Sequence, residues 1–442
     1  MRKEKKIQDN DGLYNFLRYY VDTTLKLSYH SIKYEGLEKL PQDGAIIYAP
    51  NHTNALMDAL IILAIDRKPK VYVARADIFK NRRLAKIFTF LKIMPIMRMR
   101  DGLNEVKKNQ ETISKAVDVL RDRIPFCIFP EGTHQAKYSS LPLSKGIFRI
   151  AFQAQEMMPD MPLYIVPVGL RYGNFFRFRS TVRVQIGDPI NVGEFLSQHS
   201  QLTTQEQMNK MKDLLEKRLH SSILYIPNDQ DYDAVYEICN AAHPIEVKQL
   251  LKEKNSGKDH GLNLQFKANN RTIERISILK ERNASKASEL LKLGNEASSL
   301  RRSKGISIES VSIRYPVYSR IIKILFVLLT LPYSIPVSIL AQPVLLLCRF
   351  LFTILKDSAF WNSVRFLVYL VLWPVLMIVY SIVAYSLLPW EWALPVTLLL
   401  LPAPIIAHEL WNISRLVISD IKLLKQRRLK NIYSQIKEMI LN

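Results

Sequence analysis

His52 and Asp58 are the residues of this sequence whose types and spacing point most directly to chemistry. They lie in Ala49-Pro-Asn-His-Thr-Asn-Ala-Leu-Met-Asp58. The apolar run from Ala45 to Ala49 reads as a short buried strand closed by Pro50. Beyond it, Leu56, Ala59, Leu60 and Leu63 recur at helical spacing. His52 therefore falls at a strand-to-helix junction, where backbone N–H groups are free and a side chain can meet a substrate. Asp58 is expected one to two turns into the helix. An imidazole held by a carboxylate is the usual general base for an alcohol nucleophile. The same residues also suit a plainer role, with Asn51 capping the helix and His52 filling a polar turn.

Other residues raise the same question. Ile93-Met-Pro-Ile-Met reads as a strand ending in Arg98 and Arg100, and alternation puts both on one face. Two guanidiniums at a strand end can grip a phosphate monoester bidentately, although solvated surface charge is the ordinary fate of arginine. Pro125–Phe129 reads as a buried strand running into Pro130-Glu-Gly-Thr-His134, a turn with an acidic residue. Lys145 and Gly146 follow a polar loop and open the helical run Ile147–Met157.

The elements that must position these residues alternate. Val71–Ala74, Leu163–Val168 (broken by Pro167) and Val182–Ile186 add strands, and 77–92 and 104–123 add helices. Such alternation from 45 to 187 predicts an α/β domain with a mixed, largely parallel sheet flanked by helices. A site is then expected at the carboxyl ends of the strands. Residues 12–33 read as an amphipathic, aromatic-rich helix with Arg18, Lys26 and Lys33, suited either to a membrane interface or to packing on the core.

At 442 residues the chain exceeds the size of one core, so two or more units are expected. The net charge of +22 suits a phosphate-rich partner. The hydrophobic C-terminal third favours an anionic membrane face, and no helix-turn-helix, zinc or RNA-binding signature supports nucleic acid. Cys127, Cys239 and Cys348 have neither paired nor metal-like spacing, so buried thiols in a reducing, cytosol-facing protein are expected. No apolar core of signal-peptide type follows the basic start.

Residues 1–35 are thus expected as an interface helix, 36–199 as the α/β domain, and 200–315 as a charged helical appendage with helices at 204–220, 244–254 and 268–293. Residues 320–412 are expected as a membrane region and 413–442 as a basic cytoplasmic tail. Ile321–Leu355, interrupted by Pro332, Pro336 and Pro343, predicts a re-entrant or broken segment, because a span needs roughly 20 uninterrupted residues. Val364–Leu388 and Trp392–His408 predict a transmembrane hairpin. Lys and Arg flank it on one side only, so an integral membrane protein with its N-terminal α/β domain on the cytoplasmic face is expected.

Asn51-His52…Asp58, Pro95-Ile-Met-Arg98, Phe129-Pro-Glu-Gly-Thr133 and Ile165-Val-Pro-Val168 follow the order and rough spacing of four sequence blocks of the glycerolipid acyltransferases. Over about 25–220 the chain resembles the PlsC-like membrane enzymes that acylate glycerol-3-phosphate or 1-acylglycerol-3-phosphate. The C-terminal membrane region looks more like that of the larger glycerol-3-phosphate or dihydroxyacetone-phosphate acyltransferases. Two positions depart from the common pattern. Five residues, Thr53–Met57, separate His52 from Asp58 where four are usual, which turns Asp58 by about 100° on an ideal helix. His134 stands where Arg is frequent, which shifts the phosphate-binding role toward Arg98, Arg100 or Lys145.

The resemblance implies that His52, oriented by Asp58, deprotonates a glycerol hydroxyl as it attacks an acyl thioester carried by coenzyme A or acyl carrier protein. Gly132 and its turn, with Thr133, would supply oxyanion donors, Glu131 would help bind the acceptor, and the basic residues would hold its phosphate. No cofactor beyond the acyl donor and no metal is expected, because His52, Asp58, Glu131 and His134 lack zinc-site spacing. The implied partners are a phospholipid membrane, the thioester donor and a phosphorylated glycerol. A phospholipid transacylase and an inactive membrane scaffold of the same fold remain alternatives.

Overall fold

The computed structural model describes residues 6–96, 105–253 and 261–441. The chain divides into two compact units. One comprises the residues up to Ile223 together with Asp357–Ser363, and the other Leu224–Lys356 with Val364 onward. Arg98 and Arg100 lie outside the described residues.

Among the described residues of the first unit, eight strands form one sheet: β1 (Ser31–Glu35), β2 (Ala45–Pro50), β3 (Val71–Arg75), β4 (Ile93–Ile96), β5 (Phe126–Cys127), β6 (Leu163–Tyr172), β7 (Thr181–Ile186) and β8 (Ile190–Asn191). Their order is β1-β7-β6-β2-β5-β3-β4, with β8 beside β6. All pairings are parallel except β6 with β7 and with β8. This is the mixed, largely parallel sheet that the alternation predicts. On β2, Ala45, Ile47 and Ala49 enter a core shared with α4 (Glu105–Arg121) and α5 (Gly146–Met157), through Val117, Leu120, Ile147 and Phe148. α2 (Leu56–Leu63) is tied to sheet tyrosines, with Tyr34 and Tyr72 hydroxyls donating to the Ile61 and Ala59 carbonyls.

Several boundaries differ from expectation. The helix expected over 12–33 ends at Ser28 as α1 (Gly12–Ser28), and residues 31–35 form β1 instead. The Arg179 guanidinium takes the Leu27 and Tyr29 carbonyls and its backbone N–H takes that of Ser28, so a distant residue closes α1. Pro167 does not break β6. It sits between the part paired with β8 and the part paired with β7, where its missing N–H interrupts neither ladder. The helix expected over 77–92 begins as a 3-10 turn, Ala76–Phe79, and restarts as α3 (Arg82–Phe90) with the Asn81 side chain accepting from Arg83 and Leu84 N–H.

α1 packs on the domain core along one face. Arg18 donates to the carbonyls of Leu63, Asp66, Arg67 and Lys68, capping the end of α2, while Tyr14 and Leu25 are buried. Phe16 and Tyr19 nevertheless stay 73% and 74% exposed, beside Leu13 and Leu27 on a wet apolar face. α6 (Val192–Gln198) and α7 (Thr204–Ser222) complete this unit, α7 packing on β6 and beginning with a Thr203/Glu206 capping box.

In the second unit α8 (Tyr232–Lys252) runs straight through Pro244, which was expected to begin a helix. The expected helix 268–293 is a hairpin of α9 (Leu262–Arg282) and α10 (Ala284–Ser303) that turns at Asn283, whose side chain caps α10. A Cβ on Gly294 would lie 2.8 Å from the Ala234 carbonyl oxygen, so only glycine lets α10 approach α8 this closely. Residues 427–441, expected as part of a basic tail, form α17 (Arg427–Leu441), which buries Leu429, Ile432 and Ile436 against these helices. The Glu237 carboxylate joins the bundle, accepting from Arg301 at 2.8 and 3.0 Å and from the Tyr433 hydroxyl at 2.6 Å. α11 (Ile308–Val311) follows the bundle.

Prolines 332 and 336 lie inside one continuous helix, α12 (Pro316–Leu340), and α13 (Gln342–Ile354) starts after Ala341. Among the described residues, two helices are long and apolar enough to cross a membrane, α12 and the stretch Ser358–Leu387 that contains α14 (Trp361–Leu387). α15 (Trp390–Leu400) and α16 (Ala403–Lys425) meet at a bend of 51° and qualify as a third span if taken together. Within Ile321–Leu355 the chain thus breaks at Ala341, between α12 and α13, and not at Pro332 or Pro336.

Candidate active site

Strand register brings the site together. β2 and β5 are parallel neighbours with Tyr48 opposite Cys127. His52 and Glu131 each follow their register partner by four residues, so they emerge side by side at the carboxyl edge of the sheet. β6, on the other flank of β2, runs on to Tyr172 at the same edge.

Between β2 and α2 the chain makes a strained turn. Asn51 does not cap the helix; its side chain exchanges two hydrogen bonds with the backbone of Leu170 on β6, at 2.6 and 3.1 Å. Ala55 has φ 45° and ψ −123°, a conformation disfavoured for a residue with a Cβ. Because helix starts only at Leu56, Asp58 lies in its first turn rather than deeper. The extra residue between His52 and Asp58 is absorbed by this turn, and His52 Nδ1 lies 2.8 Å from Asp58 Oδ2.

Asp58 is fully buried. Its Oδ2 also accepts the N–H groups of Thr53 and Asn54, both at 2.7 Å, and its Oδ1 accepts the Tyr172 hydroxyl at 2.5 Å. Both of its oxygens thus meet donors, at the N-terminal end of α2. A carboxylate accepts only, so His52 carries its proton on Nδ1 and presents Nε2 as the basic nitrogen. The His52 ring stacks on Phe129, centroids 4.1 Å apart. Tyr172 carries no motif signal in the sequence; only β6 pairing brings it here.

Glu131 braces two loops. Its oxygens accept from the N–H of His52 and of Leu141, both at 3.1 Å. Burial pushes its carboxyl up to about 8, against the lowering effect of those two hydrogen bonds. Gly132 has φ 66°, and its N–H donates to the Phe129 carbonyl at 3.1 Å, closing the turn on itself. Thr133 is exposed. Lys145 immediately precedes α5, beside the Pro130 turn through the Ser144 N–H to Pro130 carbonyl bond at 2.7 Å.

His134 faces His52 edge-on, centroids 5.3 Å apart, and its Nε2 lies 3.1 Å from Asp357 Oδ2. Burial and the neighbouring His52 hold the His134 imidazole below its ordinary value, against the pull of Asp357. Asp357 was not singled out by motif, yet it had a signal. It is the sole acidic residue between Glu309 and Glu391. No group of three or more His, Cys, Asp or Glu side chains able to hold a metal occurs among the described residues.

The acyltransferase family model matches residues 31–171, from β1 into the end of β6, and so includes His52, Asp58, Glu131 and His134. Residues 31–171 thus form an acyltransferase domain, and the chain is similar to glycerol-3-phosphate O-acyltransferases. It is similar to glycerol-3-phosphate O-acyltransferase 2 of Saccharomyces cerevisiae, 28% identical over 293 residues that cover 62% of this chain and 38% of that protein. Glycerol-3-phosphate O-acyltransferase 1 of the same yeast is 33% identical over 96 residues, covering 21% of this chain and 13% of the relative. The chain thus matches less than two fifths of the length of these curated relatives. Among solved structures, the 1-acyl-sn-glycerophosphate acyltransferase PlsC of Thermotoga maritima aligns with 18% identity and a TM-score of 0.33, covering 48% of this chain and 83% of that one.

Proposed function

We propose that the protein is a membrane-bound O-acyltransferase of phospholipid synthesis. It moves a fatty acyl group from a thioester, on coenzyme A or acyl carrier protein, to a hydroxyl of glycerol-3-phosphate or of its 1-acyl derivative. The observation that carries this reading is the His52–Asp58 pair at the carboxyl edge of the sheet, with His52 Nε2 left basic. That nitrogen takes the hydroxyl proton as the oxygen bonds to the thioester carbonyl carbon. The C–S bond then breaks, and the imidazolium returns the proton to the departing thiolate. Asp58 stabilises the imidazolium through the 2.8 Å contact. Glu131, protonated near neutrality, adds no negative charge beside an anionic acceptor. Lys145 at the start of α5, with Arg98 and Arg100, holds the phosphate. The reaction needs no cofactor beyond the acyl donor.

Two surfaces support the membrane part of the reading. The apolar face of α1 and the exposed Leu84 and Ile87 of α3 suit an interface, and the long apolar helices suit a bilayer. Positive flanking charge supports a cytoplasmic catalytic domain. The test is transfer from labelled acyl-coenzyme A by purified protein, with glycerol-3-phosphate and its 1-acyl derivative offered separately. Product is expected with at least one acceptor and is lost in His52→Ala, by about a thousandfold or more. Transfer that survives the substitution, or none from the native protein, refutes the assignment.

A further inference from the structure

Residues Asp357–Ser363 are remote in sequence from the α/β domain, yet they belong to its compact unit. Asp357 Oδ1 accepts the Ala359 N–H at 2.9 Å, closing a 3-10 turn. The Asn362 side-chain amide donates to the Phe175 carbonyl, and the Asn54 amide reaches that same carbonyl at 3.3 Å. Asn54 belongs to the turn that holds Asp58. Trp361 packs edge-on against Phe176, centroids 5.9 Å apart. The segment therefore shares the Phe175 carbonyl with the catalytic turn at one end and meets His134 at the other. At that second end the Phe360 ring meets His134 edge-on, centroids 4.7 Å apart, next to the Asp357 contact.

We infer that Asp357 is a positioning residue for His134, and that His134 recognises the non-reacting hydroxyl of a polyol phosphate acceptor beside His52. The inference rests on the acyl-transfer reading above and refines its acceptor. The Asp357 carboxylate accepts from Nε2–H, which fixes the tautomer and leaves Nδ1 as the ring's acceptor. Phe360 opposes rotation of the ring away from that contact. Burial and His52 keep the ring neutral, so Nδ1 retains its lone pair. An acceptor atom beside the general base pairs with a second hydroxyl, which glycerol-3-phosphate has and its 1-acyl derivative has given up. The motif position that often bears a phosphate-binding arginine thus becomes, in this chain, a reader of hydroxyl number.

The experiment compares glycerol-3-phosphate with 3-hydroxypropyl phosphate, which keeps the primary hydroxyl and the phosphate but lacks the second hydroxyl. The full chain is assayed with saturating acyl-coenzyme A. The native enzyme is expected to favour glycerol-3-phosphate in kcat/KM by about tenfold, the value of one hydrogen bond to a neutral partner. His134→Ala and Asp357→Ala should each abolish that preference, and the double variant should be no worse than His134→Ala. Asp357→Asn, which keeps an oxygen acceptor, should retain most of the preference. Equal losses on both acceptors, multiplying effects of the two alanine variants, or an unchanged preference would overturn the inference while leaving the general reading intact. A native enzyme that acylates only the 1-acyl derivative overturns it too. A native enzyme inactive on every acceptor, or an active His52→Ala, instead brings down the acyl-transfer reading itself.

Discussion

Tyr172→Phe removes one oxygen atom from the centre of the site and nothing else. The ring, fully buried and packed against Tyr29 and Phe175 at centroid distances of 6.1 and 5.9 Å, keeps its contacts, so no cavity of consequence opens. What disappears is the donor to Asp58 Oδ1. That oxygen is buried, and it would be left with a charge and no partner on that side. Hydrogen bonds to charged groups contribute about 1.5–3 kcal/mol, so a loss of about 2 kcal/mol is expected. For a unit of this size that corresponds to a melting temperature lower by roughly 4–8 °C. Asp58 Oδ2 keeps its three donors, among them His52 Nδ1, so the proposed general base stays oriented. The rate of acyl transfer should therefore fall by no more than about tenfold, against about a thousandfold or more for His52→Ala. Differential scanning fluorimetry and the acyl-transfer assay on the same detergent preparation measure both quantities. An unchanged melting temperature would refute the bond, and a collapse of activity equal to that of His52→Ala would refute the division between brace and base.

Two further outcomes follow from the same geometry. Glu131, held at about 8 in the folded chain against an ordinary 4.5, stabilises the fold most fully below its unfolded value, and this is lost as pH rises through about 8. The melting temperature of the native protein should thus fall from about pH 5 to pH 8 more steeply than that of Glu131→Gln, which cannot ionise; parallel slopes would refute the raised value. Ala55→Gly relieves the positive φ of 45° and should raise stability by about 1 kcal/mol, seen as a melting temperature higher by roughly 2–4 °C. A lower melting temperature would mean that the turn is not strained there.

The strand before His52, the helix after it, the alternation from 45 to 187 and the apolar C-terminal stretches are all legible in the sequence. Each depends on a periodicity or hydropathy that neighbouring residues carry among themselves. The His52–Asp58 pair was legible as a pair of types, and its spacing argued against an ideal helical meeting. Only the turn at Ala55 resolves that conflict, and a positive φ at alanine has no sequence signature. Caps supplied from far away were hidden for the same reason. Arg179 ends α1 and Arg18 ends α2 through carbonyls that local pattern cannot nominate.

The site itself divides along this line. Types and order of His52, Asp58, Glu131 and His134 stand in the sequence, which by itself determined an α/β acyltransferase-like domain and the chemistry to expect of it. Tertiary structure alone decided that Tyr172 and Asp357, 114 and 223 residues from their partners, complete it, and that Glu131 spends both oxygens on loop backbone. For Tyr172 and for the meeting of His52 with Glu131, the physical reason is register. Parallel pairing of β2 with β5 and β6 sets which residues emerge together at the sheet's edge, and pairing between distant strands is a property of the packed sheet rather than of any window of sequence.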